Sequence, residues 1–339
     1  MLIPLPPQPA GVPFPARAWE RAPAPTALDA LLAEMFTDPQ PATMARTDAV
    51  LVVHRGRIVA ERYRDGVTAE TTLPSWSMAK SLLHAAVGVL ARDGRLDIAA
   101  PAPVPEWRGD GDPRGAITLN DLLQMVPGLR WAEDYVRDDV SDVIKMLFRP
   151  GTDDTGAFAA AYPMVALPGT VSNYSSGTSN IVARIVRGVV GRDEAYLAFL
   201  RREIFDPIGM TTATPKFDRS GTWIGSSYCF ATAQDFARFG LLYMRDGVWD
   251  GERILPEGWV DYARTPSPQS NGIYGAHFWV IPGSLGLFSC SGAFGQCILS
   301  SPMRDLVVVR LGLTAPHTVD AGVRYCKELV DAFRPAAPR

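Results

Sequence analysis

The apolar positions of this chain recur in two periods, and each period marks an element. At 48–63 the runs Ala-Val-Leu-Val-Val-His and Ile-Val-Ala-Glu-Arg-Tyr, joined by Arg55-Gly56-Arg57, predict a β-hairpin. At 77–92 the apolar residues Met78, Leu82, Leu83, Ala86, Val87 and Leu90 fall at helical spacing and Asp93-Gly94 supplies a stop, so a buried amphipathic helix is predicted. Between 96 and 210 loop and helix alternate, with helical segments at 121–125, 140–148 and 179–190 divided by Pro and Gly. Four β-type runs follow at 277–281, 286–289, 294–300 and 305–311, then a helix at 319–333. Strands, helix, helical stretch, strands, helix is the order of an α+β protein: an antiparallel sheet flanked by helices, with an inserted mostly helical domain. The expected division is a Pro-rich arm at 1–45, a sheet domain from 46–96 and 230–339, and a helical insertion at 97–229.

Composition narrows the class. A chain of 339 residues, 47% hydrophobic and 20% charged, has room for two structural units. A formal net charge of −3 without a basic stripe argues against nucleic acid, and no apolar run is long enough to span a membrane. Prolines at 4, 6, 7 and 9 interrupt the start before a signal-peptide core can build, and the four cysteines show neither CxxC nor zinc-finger spacing. Reduced, buried thiols and a cytoplasmic location are expected. Of 33 basic residues only four are lysines: Lys80, Lys145, Lys216 and Lys327.

That scarcity makes Ser77-Met78-Ala79-Lys80 informative. With 18 serines and four lysines, a chance Ser-x-x-Lys is expected about 0.2 times, and it occurs once, where the helix begins. The i, i+3 spacing puts hydroxyl and amine on one face, as a nucleophile and its base require. Burial and the positive helix end both favour the free amine, and the Ser77 N–H faces the place where an oxyanion would develop. Three further segments carry candidate chemistry. The small-polar loop at 168–180 centres on Tyr174, whose phenol could relay a proton. The Gly-bracketed segment at 290–296 would let a ligand approach the backbone. The loop at 124–135, with Trp131 and Tyr135, could wall a pocket.

Ser77-x-x-Lys80, then Tyr174-x-Ser176, then Gly292 to Gln296, in this order, resembles the serine β-lactamase and penicillin-binding-protein superfamily, and more narrowly its class C-related branch of esterases and 6-aminohexanoate-dimer hydrolases. The resemblance runs from about residue 45 to the C-terminus and takes in Gly-Leu-x-Trp-x-Glu-Asp-Tyr. It implies a β-lactamase/transpeptidase-like fold, Ser77 as acylated nucleophile, Lys80 as general base and Tyr174 as proton donor to the leaving group. The oxyanion hole would be the backbone N–H groups of Ser77 and Ala293, with Trp131, Tyr135, Ser176, Ser291 and Gly292 on the substrate. Two departures stand out. The superfamily's Tyr-x-Asn is Tyr174-x-Ser176 here, and its Lys-Thr-Gly is Cys290-Ser291-Gly292, without the cation that pairs with a β-lactam carboxylate.

Rival signatures are missing: no Gly-x-Ser-x-Gly, no His-Glu-x-x-His, and a Gly109-x-Gly111-x-x-Arg114 that lacks its third glycine. The four histidines, His54, His84, His277 and His317, read as structural, with His84 a possible pocket neighbour. The expectation is a serine hydrolase for a small ester or amide, needing no metal or cofactor. β-Lactamase or D,D-peptidase activity, or a non-catalytic binding protein, are the alternatives.

Overall fold

The computed structural model describes residues 2–37, 46–137, 139–149, 153–314 and 319–333; part of the expected Pro-rich arm, 38–45, lies outside them. Six antiparallel strands form the main sheet: β1 (Arg46–His54), β2 (Arg57–Tyr63), β3 (Trp279–Val280), β4 (Phe288–Gly292), β5 (Gln296–Ser301) and β6 (Leu306–Leu313), in spatial order β2-β1-β6-β5-β4-β3. The β1–β2 turn takes positive φ at both Arg55 (52°) and Gly56 (75°), which suits the right-handed twist of a two-residue hairpin. Both faces of the sheet are covered, so its central strands are continuous apolar runs. Leu51, Val53, Val307 and Val309 face one core, while Val50, Val52, Leu306 and Val308 face the other.

The helices are α1 (Ala27–Met35), α2 (Ala79–Arg92), α3 (Leu119–Leu123), α4 (Asp142–Phe148), α5 (Thr155–Ala160), α6 (Ser176–Val190), α7 (Glu194–Leu200), α8 (Ala233–Met244), α9 (Trp259–Arg264) and α10 (Val319–Asp331). α1 and α10 cover one face of the sheet; α2 and α8 lie on the other. Side-chain caps set several starts: Thr118 and Asp121 form a capping box on α3, Ser141 caps α4, Asp154 caps α5 and Ser175 caps α6. The Ser175 cap starts α6 at Ser176, three residues before the periodicity places it, and that shift brings Ser176 to the first turn.

The Pro-rich arm is more than a tail. Its α1 buries Leu28, Leu32 and Met35 against β1 and α10. Upstream, arginines of the body tie down carbonyls of the proline segment: Arg245 donates to the Pro6 carbonyl (3.2 Å) and Arg238 to that of Pro15 (2.7 Å). A proline-rich segment lacks amide donors but keeps its acceptors, so guanidinium donors suit it.

Candidate active site

Ser77 sits in a short 3₁₀ turn, Trp76–Met78, that runs directly into α2. The preceding Ser75 is fully buried and anchors the turn, accepting from the Cys229 N–H (2.9 Å) while its own N–H donates to the Cys229 carbonyl (2.8 Å). Trp76 holds φ at +44°, an uncommon conformation for a bulky residue that costs on the order of 1–2 kcal/mol. β4 passes so close to this turn that a Cβ on Gly292 would lie 2.4 Å from the Ser75 carbonyl and 3.1 Å from the Ser77 nitrogen. The glycine expected at a ligand's approach does line the cavity, and its lack of a Cβ also lets the strand lie against the Ser77 turn.

One helical turn on, Lys80 is buried with a relative exposure of 1%. Its Nζ donates to Ser77 Oγ (3.0 Å), Ser176 Oγ (3.0 Å) and the Ser226 carbonyl (2.9 Å). Burial pushes its pKa down to about 8, against the opposing pull of Glu133. At pH 7 an ordinary lysine of pKa 10.5 is neutral about three times in ten thousand, whereas a pKa of about 8 makes it neutral about one time in ten. The Tyr174 ring lies 4.9 Å from the same Nζ, and its phenol hydrogen-bonds with Ser77. Burial, and then Glu133, raise the phenol well above its usual range, so Tyr174 keeps its proton at neutral pH while Lys80 can lose one.

Glu133 is the residue that the sequence left without a role. It accepts from the Ser176 hydroxyl (2.5 Å), the Ser176 N–H (2.9 Å), Trp131 Nε1 (2.6 Å) and the Tyr135 hydroxyl. Its neighbour Asp134 turns away and accepts from the Val136 and Arg137 amides instead. Two adjacent carboxylates offer no sequence signal to tell these fates apart.

Behind the end of β4 the loop at Ala293, Phe294 and Gly295 is held from the far side. Gln296 donates to the Ala293 carbonyl (3.1 Å), while Arg310 Nη1 donates to those of Phe294 and Gly295 (both 3.0 Å). Arg310 is fully buried, and among the described residues no carboxylate pairs with it. Phe294 holds φ at +60°, and its ring packs edge-on against Trp76 at 5.4 Å. Trp76, before Ser77, and Phe294, after Ala293, are therefore both in left-handed backbone.

These groups open into a cavity of about 1040 Å³. Ser77, Tyr174, Ser291, Gly292, Ala293 and Tyr135 line it, together with Glu133 and an apolar wall from Val136, Ile144, Leu147, Phe148 and Ile281. Trp131 and Ser176, expected on the substrate, are not on this lining. Trp131 is packed where a Cβ on Gly177 would meet its ring at 2.6 Å, and Ser176 is fully buried behind Lys80. Cys290 is likewise turned into the core, its thiol pushed up to about 12 by burial, and the flanking Ser289 and Ser291 face the cavity instead. Lys327 of α10 is the one cation among the described lining residues.

His84 and His277 are buried away from the cavity lining, and His317 lies outside the described residues. His84 stacks on Trp259 and shares a 2.8 Å hydrogen bond with the Tyr243 hydroxyl, so it is not a pocket neighbour. His277 has the Leu123 carbonyl beside Nδ1 and the Ser179 hydroxyl beside Nε2, each at 2.9 Å; a carbonyl only accepts, so Nδ1 carries the hydrogen. Burial, and Lys80 among the nearby groups, hold His277 down to about 3. Among the described residues no group of three or more His, Cys, Asp or Glu could hold a metal, and no helix is long and apolar enough to cross a membrane.

An antiparallel sheet between helices, with Ser-x-x-Lys at the start of the central helix, defines a protein of the serine β-lactamase and penicillin-binding-protein superfamily. The chain belongs to the Beta-lactamase family, whose profile matches residues 35–324. It is 28% identical over 309 residues to the 6-aminohexanoate-dimer hydrolase of Paenarthrobacter ureafaciens, across 84% of this chain and 77% of that one. A Bacillus anthracis structure provisionally named a 6-aminohexanoate-dimer hydrolase superposes with a TM-score of 0.74 at 25% identity, covering 96% of this chain and 87% of that one. A family VIII carboxylesterase shares the fold at a TM-score of 0.68 and 15% identity, covering 92% and 99%. The protein is thus a β-lactamase-fold hydrolase related to 6-aminohexanoate-dimer hydrolase.

Proposed function

We propose that this protein is a serine hydrolase that cleaves a carboxylic ester or amide through an acyl-enzyme on Ser77. The observation that carries the reading is the buried Lys80 amine, 3.0 Å from Ser77 Oγ with its pKa brought down to about 8. Lys80 takes the hydroxyl proton as Ser77 Oγ bonds to the carbonyl carbon. The oxyanion so formed is received by the N–H groups of Ser77 and Ala293, a reading supported by the close approach of Gly292, the residue before Ala293, to the Ser77 nitrogen. Tyr174 keeps its proton near Ser77 and passes it to the departing alkoxide or amine, to be replenished from Lys80. Water then attacks the acyl-enzyme by the same steps in reverse, releasing the acid.

The lining favours substrates that are neutral and apolar around the reacting carbonyl. A charge-assisted hydrogen bond to a ligand carboxylate is worth about 1.5–3 kcal/mol, and the residue before Ser291-Gly292 is Cys290, which cannot make one; Lys327, on α10, is the one cation among the described lining residues. Carboxylated β-lactams are therefore expected to be poor substrates beside uncharged esters. The 6-aminohexanoate-dimer hydrolase relationship supports amide as well as ester cleavage. The test is covalent labelling with a fluorophosphonate followed by peptide mapping. A single label on Ser77, absent in Ser77→Ala, is expected; a label that survives that substitution, or a wild type that neither labels nor turns over nitrophenyl esters, ends the account.

A further inference from the structure

The hydroxyl of Ser176 joins two charged groups that lie 53 positions apart in the chain, Lys80 and Glu133. Its hydrogen is committed to the carboxylate, because an ionised carboxylate only accepts and the O···O distance is 2.5 Å. The Ser176 oxygen can then only accept from Lys80. The Ser226 carbonyl, which also only accepts, takes a second Lys80 hydrogen, and the Asn180 side chain holds that peptide by accepting from the Ser226 N–H at 3.1 Å. A neutral amine has two hydrogens and one lone pair. With both hydrogens placed, the lone pair is left for Ser77, its third neighbour.

We propose that Glu133 is the positioning residue of this base: by fixing the direction of the Ser176 hydroxyl it aims the free electron pair of Lys80 at Ser77. Its charge also opposes the loss of the Lys80 proton. The proposal rests on the acyl-enzyme reading above. Without the carboxylate, Ser176 could turn its hydrogen onto the Lys80 lone pair and compete with Ser77 for it. The groups facing Lys80 are Ser77, Ser176, the Ser226 carbonyl, the neutral ring of Tyr174 and the neutral imidazole of His277; Glu133 is the one carboxylate among the described residues that acts on its charge. Glu133 in turn acts on the phenols of Tyr174 and Tyr274, both held protonated by burial and by this same carboxylate. A carboxylate that merely capped α6 would need the Ser176 and neighbouring amides alone; Glu133 also takes the Ser176 hydroxyl, the one of its hydrogen-bond partners that also bonds Lys80.

The small number of lysines allows a direct test. The full-length protein carrying 13Cε-lysine has four lysine signals, and that of Lys80 is assigned by its loss in Lys80→Met. In Glu133→Gln the Lys80 titration midpoint is expected to fall by about one pH unit, since an opposite charge close by has been removed. kcat for a nitrophenyl ester should fall tenfold or more with KM changed less than about twofold. Glu133→Asp should restore part of both, and Ser176→Ala should move both in the same direction by less. A Lys80 midpoint that stays put or rises in Glu133→Gln overturns the proposal. Should that variant not fold, an unmoved midpoint and unchanged kcat in Ser176→Ala overturn it equally. A shifted midpoint with an unlabelled Ser77 overturns the acyl-enzyme reading alone; an unshifted midpoint with a labelled Ser77 overturns the role of Glu133 alone.

Discussion

The cavity has a floor and a rim, and the two are built by opposite rules. On the floor Lys80 has three polar partners and Glu133 four, while Ser176 joins them; every one of these bonds but that from the Tyr135 hydroxyl, which reaches down from the rim, is buried or half-buried. At the rim Val136 is 78% exposed, Phe148 58% and Tyr135 47%, and the first two offer only apolar surface. Directional hydrogen bonds in low dielectric fix atoms to within tenths of an ångström, and losing one strands a buried partner at about 1–3 kcal/mol. Apolar rim contacts are non-directional and additive in area, so they bias which substrates enter without governing the chemistry.

The sharpest way to break this contrast is at the floor. Ser77→Ala is expected to lower kcat/KM for a nitrophenyl ester by at least about 10³-fold with the fold intact, read from initial rates and circular dichroism. Lys80→Met should be as inactive, yet more stable at pH 7. The lysine's pKa is lowered on folding from 10.5 to about 8, so the unfolded chain binds more protons between those values and stability rises with pH across that window. Below pH 8 the native protein carries the whole penalty, no more than about 3 kcal/mol, and Lys80→Met removes it. Its gain in melting temperature over wild type should therefore be larger at pH 7 than at pH 10.5.

A second test moves backbone and leaves the chemistry in place. Gly292→Val would force β4 away from the Ser77 turn, since the new side chain starts 2.4 Å from the Ser75 carbonyl. A loss of about 10²-fold in kcat is expected, the scale of an ångström of misplacement, and a variant with full kcat would break the link between that approach and the oxyanion amides. Wild-type kcat/KM should rise about tenfold per pH unit up to a midpoint near 8, where the Lys80 amine becomes free. A flat profile from pH 6 to 8 would remove Lys80 as the base. The smallest effects belong to the rim. Phe148→Ser and Val136→Ser are each expected to raise KM for a long-chain ester by no more than about tenfold while leaving kcat near wild type, and a fall in kcat instead would erase the distinction between floor and rim.

Some of this was legible before any coordinates. The sheet hairpin, the helix after Ser77 and the four late strands follow from local periodicity, since each side-chain pattern is imposed by the element's own repeat. Ser77 and Lys80 are local partners too, one helical turn apart, so their 3.0 Å contact needs little beyond α2 itself. What lay between elements was harder to read. The helix inside the Pro-rich arm is short, and it is held by burying Leu28, Leu32 and Met35 under α10, residues some 300 positions away. Ser176 and Trp131 were expected on the substrate and stand behind it instead, because the Ser175 cap and the Gly177 gap set which side of α6 each meets.

The chain's own order thus determined the elements and the one candidate pair, Ser77 and Lys80, that a single helical turn can bring together. Only the tertiary structure decided that Glu133 and not Asp134 faces the base, that Arg310 backs the loop after Gly292, and that Cys290 looks away from the cavity. The reason is physical. A helical repeat acts over a few residues and is written in their sequence, whereas the direction of a buried hydrogen bond is chosen by whichever distant donor or acceptor the packing brings within 3 Å.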